Sequence, residues 1–101
     1  DGIRIPVQRE DVDPIRHLYP IRVLDGRRHE IFQKMRADGI GVQVNYMPVY
    51  WHPAYADLGY QRGMSPNAEA FYQEELSLPI FPDLTDPQVD QVIDTLIRAL
   101  R

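Results

Sequence analysis

Apolar and polar residues alternate most clearly in two stretches of this chain, 17–24 and 41–47. In the first, Tyr19, Ile21 and Val23 share one phase and Leu18 takes the other, the period-two pattern of a strand with one buried face. Pro20 lies inside it and predicts an edge position or a bulge, because proline has no N–H for a ladder. In the second, Val42 and Val44 point one way, with Tyr46 on the same side, while Gln43 and Asn45 point the other. Between the two, Ile31, Phe32 and Met35 recur at helical spacing and predict a helix from about Arg27 to Asp38. Asp25 is the expected N-cap. Gly39 is a left-handed stop, with Ile40 folding back on the last turn. The economical unit is strand–helix–strand, with 41–47 lying beside 17–24 and their relative direction left open.

The flanks are shorter pieces. Residues 1–16 carry a brief alternation, Ile3, Ile5 and Val7, broken by Pro6 and followed by charged residues; they read as a connecting segment. Residues 54–60 suggest one short helical turn. Ser65-Pro66 marks a helix start, cap followed by proline at the first helical position. That helix is expected to bury Ala68, Phe71, Tyr72 and Leu76 and to expose Glu69, Gln73 and Glu74. Leu78 and Ile80 form a brief extended piece around Pro79. Thr85 and Gln88 have the spacing of a capping box, and Val89, Val92, Ile93, Leu96, Ile97 and Leu100 then form one apolar stripe. The expected architecture is α+β, a small sheet with helices packed on it. Residues 17–101 form the folded unit and residues 1–16 its connecting segment.

Composition narrows the function classes. A hydrophobic content of 44% in 101 residues suits one modest core rather than disorder. The formal net charge is -4, with no basic block, so nucleic acid is not an expected partner. No apolar run approaches the ~20 residues needed to span a bilayer, so no membrane partner is expected. The chain has no cysteine, which removes disulfides, thiolate metal sites and cysteine nucleophiles and fits a cytoplasmic setting. Asp1-Gly2-Ile3-Arg4 has neither a basic nor an apolar leader and no initiator methionine, as expected of a segment of something longer.

Candidate chemistry is sparse. His17, His29 and His52 fall in different elements, so no metal-binding pair exists at fixed spacing. Ser65 is a helix cap, and Ser77 lies outside any nucleophile-elbow pattern. Glu69, Glu74 and Glu75 read as a solvated helix face. Lys34 is the only lysine, and its place on the flank of the Ile31/Phe32/Met35 face gives it no desolvation to make it a nucleophile. What remains is the run from Asn45 to Pro53. Tyr46, Tyr50, Trp51 and His52 combine ring faces with polar tips, suited to stacking on a sugar or base and bonding its hydroxyls. Tyr46 also suits the core. Such a surface could equally belong to a stand-alone, non-catalytic α+β binding module.

Gly39-Ile40-Gly41-Val42-Gln43-Val44-Asn45-Tyr46-Met47-Pro48-Val49-Tyr50, Pro66-Asn67-Ala68-Glu69 and Leu76-Ser77-Leu78-Pro79-Ile80-Phe81-Pro82 together resemble the small C-terminal domain of DegT/DnrJ-type sugar aminotransferases, across about residues 17–101. The run from Tyr46 to Pro53 and Leu58-Gly59-Tyr60 are most similar to the subgroup acting in pseudaminic acid synthesis. The resemblance implies the small domain of an aspartate-aminotransferase-like enzyme of fold type I, dependent on pyridoxal 5'-phosphate. Glutamate would donate the amino group to a UDP-linked 4-keto-6-deoxy sugar. The resemblance also implies that the cofactor lysine sits in a separate large domain, that the enzyme is a homodimer, and that this segment alone is inactive. Its own part would be one wall of the sugar-nucleotide pocket, carried by Asn45, Tyr46, Tyr50 and His52. Many members have histidine where this chain has Asn45 and Tyr50, which leaves His52 as the titrating group of that wall.

Overall fold

The computed structural model describes residues 2–101. Three strands form one antiparallel sheet in the order β1 (Ile3–Arg4), β2 (Tyr19–Val23), β3 (Glu75–Leu78). Helices α1 (Arg28–Ala37), α2 (Pro53–Ala56), α3 (Pro66–Glu74) and α4 (Asp86–Leu100) complete the fold, with a 3-10 turn at Val49–Trp51. The α+β expectation therefore holds, and the alternation in β2 does what period two requires. Ile21 and Val23 are buried, and the register sets Ile21 opposite Leu76 and Tyr19 opposite Leu78 on the same face. Ile31 and Met35 of α1, Ile40, Val42, and Val92, Leu96 and Ala99 of α4 close over that face as a single core.

Pro20 sits in the middle strand, yet its position is locally an edge. Its partner Ser77 exchanges both backbone hydrogen bonds with Gln43, at 2.8 and 3.1 Å, on the side away from β2. Pro20 and Ser77 therefore form a non-hydrogen-bonded pair, and the nitrogen of Pro20 faces the β1 side, where pairing has already ended at Arg22. The missing donor costs the ladder nothing. β1 forms at the start of the Ile3, Ile5 and Val7 alternation in the connecting segment, and Leu24 N–H to Gly2 O at 2.9 Å extends its pairing.

Several local expectations are corrected. Residues 41–47 do not pair with β2: β3 takes that place, and the stretch touches the sheet only through the Gln43–Ser77 bridge. Asp25 does not cap α1. It adopts φ 59° with Gly26 at φ 71°, and Arg27 N–H bonds Leu24 O at 3.3 Å, so Asp-Gly forms a tight turn that needs two left-handed residues. Helix α3 ends at Glu74, two residues before the expected Leu76, which instead is buried in β3. Its Ala68 and Phe71 are exposed, and no residue of α3 is fully buried. On α4 the buried positions are Val92, Thr95, Leu96 and Ala99, so the stripe is rotated: Val89, Ile93 and Ile97 face outward.

Ser65 takes the N-cap position of α3 without a side-chain cap bond, while the C-terminus of α1 and both ends of α4 are satisfied. At the C-terminus of α1, Gly39 at φ 83° lets its N–H reach Arg36 O and lets Ile40 N–H reach Met35 O at 2.9 Å, the two bonds of a Schellman motif. The Thr85–Gln88 capping box forms as expected, with bonds of 2.9 and 3.4 Å. The last carbonyls of α4 receive cations from α1 and the turn before it: Lys34 Nζ donates to Ala99 O at 3.2 Å and Arg27 to Leu100 O at 2.9 Å.

Candidate functional site

The chain leaves the sheet at Asn45 because the ladder does. Continuing the Gln43–Ser77 register would set Asn45 opposite Glu75. There the Asn45 N–H donates to the Glu75 side chain, Oε2 at 2.6 Å. Glu75 is fully buried, and its other oxygen accepts from the Ser77 hydroxyl. The reading of Glu75 as part of a solvated face is therefore wrong, since the residue belongs to a strand whose second face is covered. The side-chain oxygen of Asn45 is itself buried and has no protein partner among the described residues.

Past Asn45 the run turns outward. The Asn45–Tyr46 peptide is cis, and Tyr46 is 69% exposed. Alternation carried onto Tyr46 would have put it in the core; without a ladder beyond Gln43, nothing imposes that phase. Pro48 is buried and begins the 3-10 turn that carries Tyr50 and Trp51. His52 follows, exposed, as the N-terminal flank of α2. Of the four predicted residues, Tyr46 and His52 thus present free side chains, Asn45 offers one buried oxygen, and Tyr50 is half-buried and engaged.

What engages Tyr50 is Glu69, near the start of α3. Glu69 Oε1 accepts from the Tyr50 hydroxyl, from Trp51 Nε1–H at 3.3 Å, and from the backbone N–H of Gly63. These donors, above all the tyrosine hydroxyl, hold the Glu69 carboxyl below its ordinary value. Loss of solvent, and then the adjacent carboxylate, push the Tyr50 phenol up. Arg62 stacks over Trp51 with Cζ 4.1 Å from the ring centroid, Trp51 meets Tyr72 edge-on at 5.5 Å, and Arg28 lies over Tyr72 at 5.4 Å. Sequence reasoning placed Glu69 on the outer face of α3. A carboxylate in the first turn of a helix, just after a Gly63-containing loop, was the available signal that it bonds back to that loop.

The carboxylate–cation pairs elsewhere are structural. Glu74 pairs with Arg22 at 2.7 Å. Glu30 accepts from Arg27 and Lys34, which lower its carboxyl to about 2. Lys34 Nζ is thereby shared between Glu30, at 2.7 Å, and the Ala99 carbonyl. A charged, doubly bonded and half-exposed ammonium does not fit the role of a pyridoxal-phosphate Schiff base. Among the described residues no group of three or more His, Cys, Asp or Glu is placed to hold a metal ion, and no helix is long and apolar enough to cross a membrane.

The fold recurs in known proteins. The chain matches the DegT/DnrJ/EryC1/StrS aminotransferase family over residues 2–97. It belongs to that family. Its relatives include the dTDP-3-amino-3,4,6-trideoxy-alpha-D-glucose transaminase of Streptomyces venezuelae, 42% identical over 96 residues, a span covering 94% of this chain and 25% of the relative. The UDP-4-amino-4,6-dideoxy-N-acetyl-beta-L-altrosamine transaminase of Campylobacter jejuni is 36% identical over 88 residues, covering 84% of this chain and 23% of the relative. A sugar aminotransferase of Streptococcus pneumoniae solved in its PLP form superposes with a TM-score of 0.89 at 33% identity, over 97% of this chain and 26% of that one. This family member spans about a quarter of the length of the curated relatives it matches.

Proposed function

We propose that this chain is the C-terminal small domain of a pyridoxal-phosphate-dependent sugar aminotransferase and forms one wall of its sugar-nucleotide pocket. The intact enzyme would move an amino group from glutamate to a nucleotide-linked 4-keto-6-deoxy sugar, in surface-polysaccharide or pseudaminic acid synthesis. Residues 17–101 would be the domain and residues 1–16 its connection to a large domain. That large domain would hold the cofactor, whose chemistry is to accept and pass on the amino group; Lys34 is unsuited to it.

The observation that carries the reading is the path of residues 45–52. In a family of sugar aminotransferases, this chain sends its densest run of hydrogen-bonding rings off the sheet edge. It fixes Tyr50 and Trp51 and leaves Tyr46 and His52 facing out. Asn45 adds an acceptor oxygen with no partner among the described residues. Such groups bind and orient a sugar; none can attack it. A second apolar face supports the partner assignment. Ile3, Tyr19, Ile80, Phe81, Leu84, Ile93 and Ile97 line an open groove of about 680 Å³, a surface suited to the large domain or a second subunit of a homodimer.

Amino transfer from glutamate by an intact enzyme carrying this chain, measured with UDP-linked and dTDP-linked keto sugars, tests the proposal. The expected outcome is turnover of the UDP-linked 4-keto sugar, with KM raised at least severalfold in Tyr46→Ala and His52→Ala. Turnover of the dTDP-linked sugar alone would move the substrate toward that of the Streptomyces relative. Unchanged KM in both variants would remove these residues from the pocket.

A further inference from the structure

We propose that Glu69 and Glu75 are positioning residues that clamp the Asn45–His52 run at its two ends and so fix how Tyr46 and His52 are presented to the sugar nucleotide. The presentation half rests on the pocket-wall reading above; the clamp itself does not.

The run needs such a device. After Gln43 it has no sheet partner, and before the 3-10 turn its one described hydrogen bond to the rest of the chain is Asn45 N–H to Glu75. At the far end, Tyr50 and Trp51 bond through their side chains to Glu69, and the Tyr50 hydroxyl also lies 3.4 Å from Ser65 O; the backbone bonds Trp51 N–H to Pro48 O and His52 N–H to Val49 O are internal to the run, and His52 O continues into α2 by accepting from Tyr55 and Ala56. Two carboxylates therefore do what a ladder would otherwise do. Each is charge-capable and satisfies several donors, and such bonds are shorter and stronger than neutral ones. Glu75 is held in turn by the Ser77 hydroxyl within β3. Glu69 also takes the Gly63 N–H, so it joins three points of the chain: the 3-10 turn, the loop before α3, and α3 itself. With the Tyr50 hydroxyl and the Trp51 indole both committed inward, these two rings are braces. The polar tips left free, those of Tyr46 and His52, lie inside the clamp and one residue beyond it.

Trp51 is the only tryptophan, so the 15N-labelled chain has one indole N–H resonance to read. In Glu69→Ala, and in Glu69→Asp whose carboxylate is one methylene short, that resonance should move and its hydrogen exchange accelerate at least about tenfold. Glu69→Gln keeps an acceptor oxygen and should restore most of the protection. In Glu75→Leu, which preserves volume, the Asn45 amide should lose protection by a similar factor, while Glu75→Gln retains it. An unmoved, still protected indole in folded Glu69→Ala and Glu69→Asp, or an unchanged Asn45 amide in Glu75→Leu, would overturn the clamp. In the intact enzyme Glu69→Asp should raise KM for the keto sugar nucleotide roughly tenfold with kcat within about twofold, and Glu69→Gln should reverse the rise. A released indole with unchanged KM would leave the clamp standing and overturn the presentation, whereas unchanged KM in Tyr46→Ala and His52→Ala is the separate result that would overturn the pocket-wall reading.

Discussion

Glu69 shows how one oxygen can organise a surface. Because its carboxyl is held below the ordinary value of 4.5, mainly by the Tyr50 hydroxyl, the folded chain binds a proton there less readily than the unfolded chain. The stability this supplies is complete above about pH 4.5 and is lost as pH falls through the lower folded value. Trp51 fluorescence should therefore change on acidification below that range, and the change should vanish in Glu69→Gln. Glu30 follows the same sign over a wider window. Held at about 2 by hydrogen bonds from Arg27 and then Lys34, it contributes fully above its ordinary value of 4.5 and progressively less down to about pH 2. Acid melts of Glu30→Gln should show a flatter loss of stability across that window than the unsubstituted chain.

At the scale of the elements, the caps are the parts most open to measurement. Gly39 has open space around its Cα, so Gly39→Ala meets no clash and tests the left-handed φ of 83° alone. It should cost about 1–2 kcal/mol, read as a drop in Tm. Thr85→Ala removes a bond to the Gln88 amide and should cost about 1 kcal/mol by denaturant titration. Both devices were legible in the sequence, because caps depend on residues adjacent in the chain. The elements that were misread depend on distant ones. Glu75 to Leu78 looked like the end of a helix; it becomes a strand because β2 on one side and Gln43 on the other offer it partners. Asp25 has the side chain of a cap, but Asp25-Gly26 forms a turn that places Arg27 at the cap position. Tyr50 and His52 stand out by ring chemistry and by the family resemblance, and neither signal separates their fates, one engaged and one free, because Tyr50 is held by a glutamate many residues later.

For the whole molecule, the rotated stripe of α4 matters most. Val92, Leu96 and Ala99 belong to this core, while Val89, Ile93 and Ile97 are left with Ile80 and Phe81 on an outer apolar face. A chain of this size that leaves such a face open should associate with itself when alone. Sedimentation is expected to show concentration-dependent dimers or larger species, and Ile93→Lys with Ile97→Glu should shift them to monomer without loss of helical content. A strictly monomeric unsubstituted chain would count against that face as a contact surface.

The sheet has one more exposed boundary. Beyond Arg22, β2 has no strand partner on the β1 side among the described residues, which would ordinarily invite a strand from another molecule to dock there. Pro20 places a ring where that visitor would look for a hydrogen-bond donor. Proline on such an edge disfavours pairing with an added strand. Replacing Pro20 with valine should leave the fold intact and shorten the lag before β-rich aggregates form.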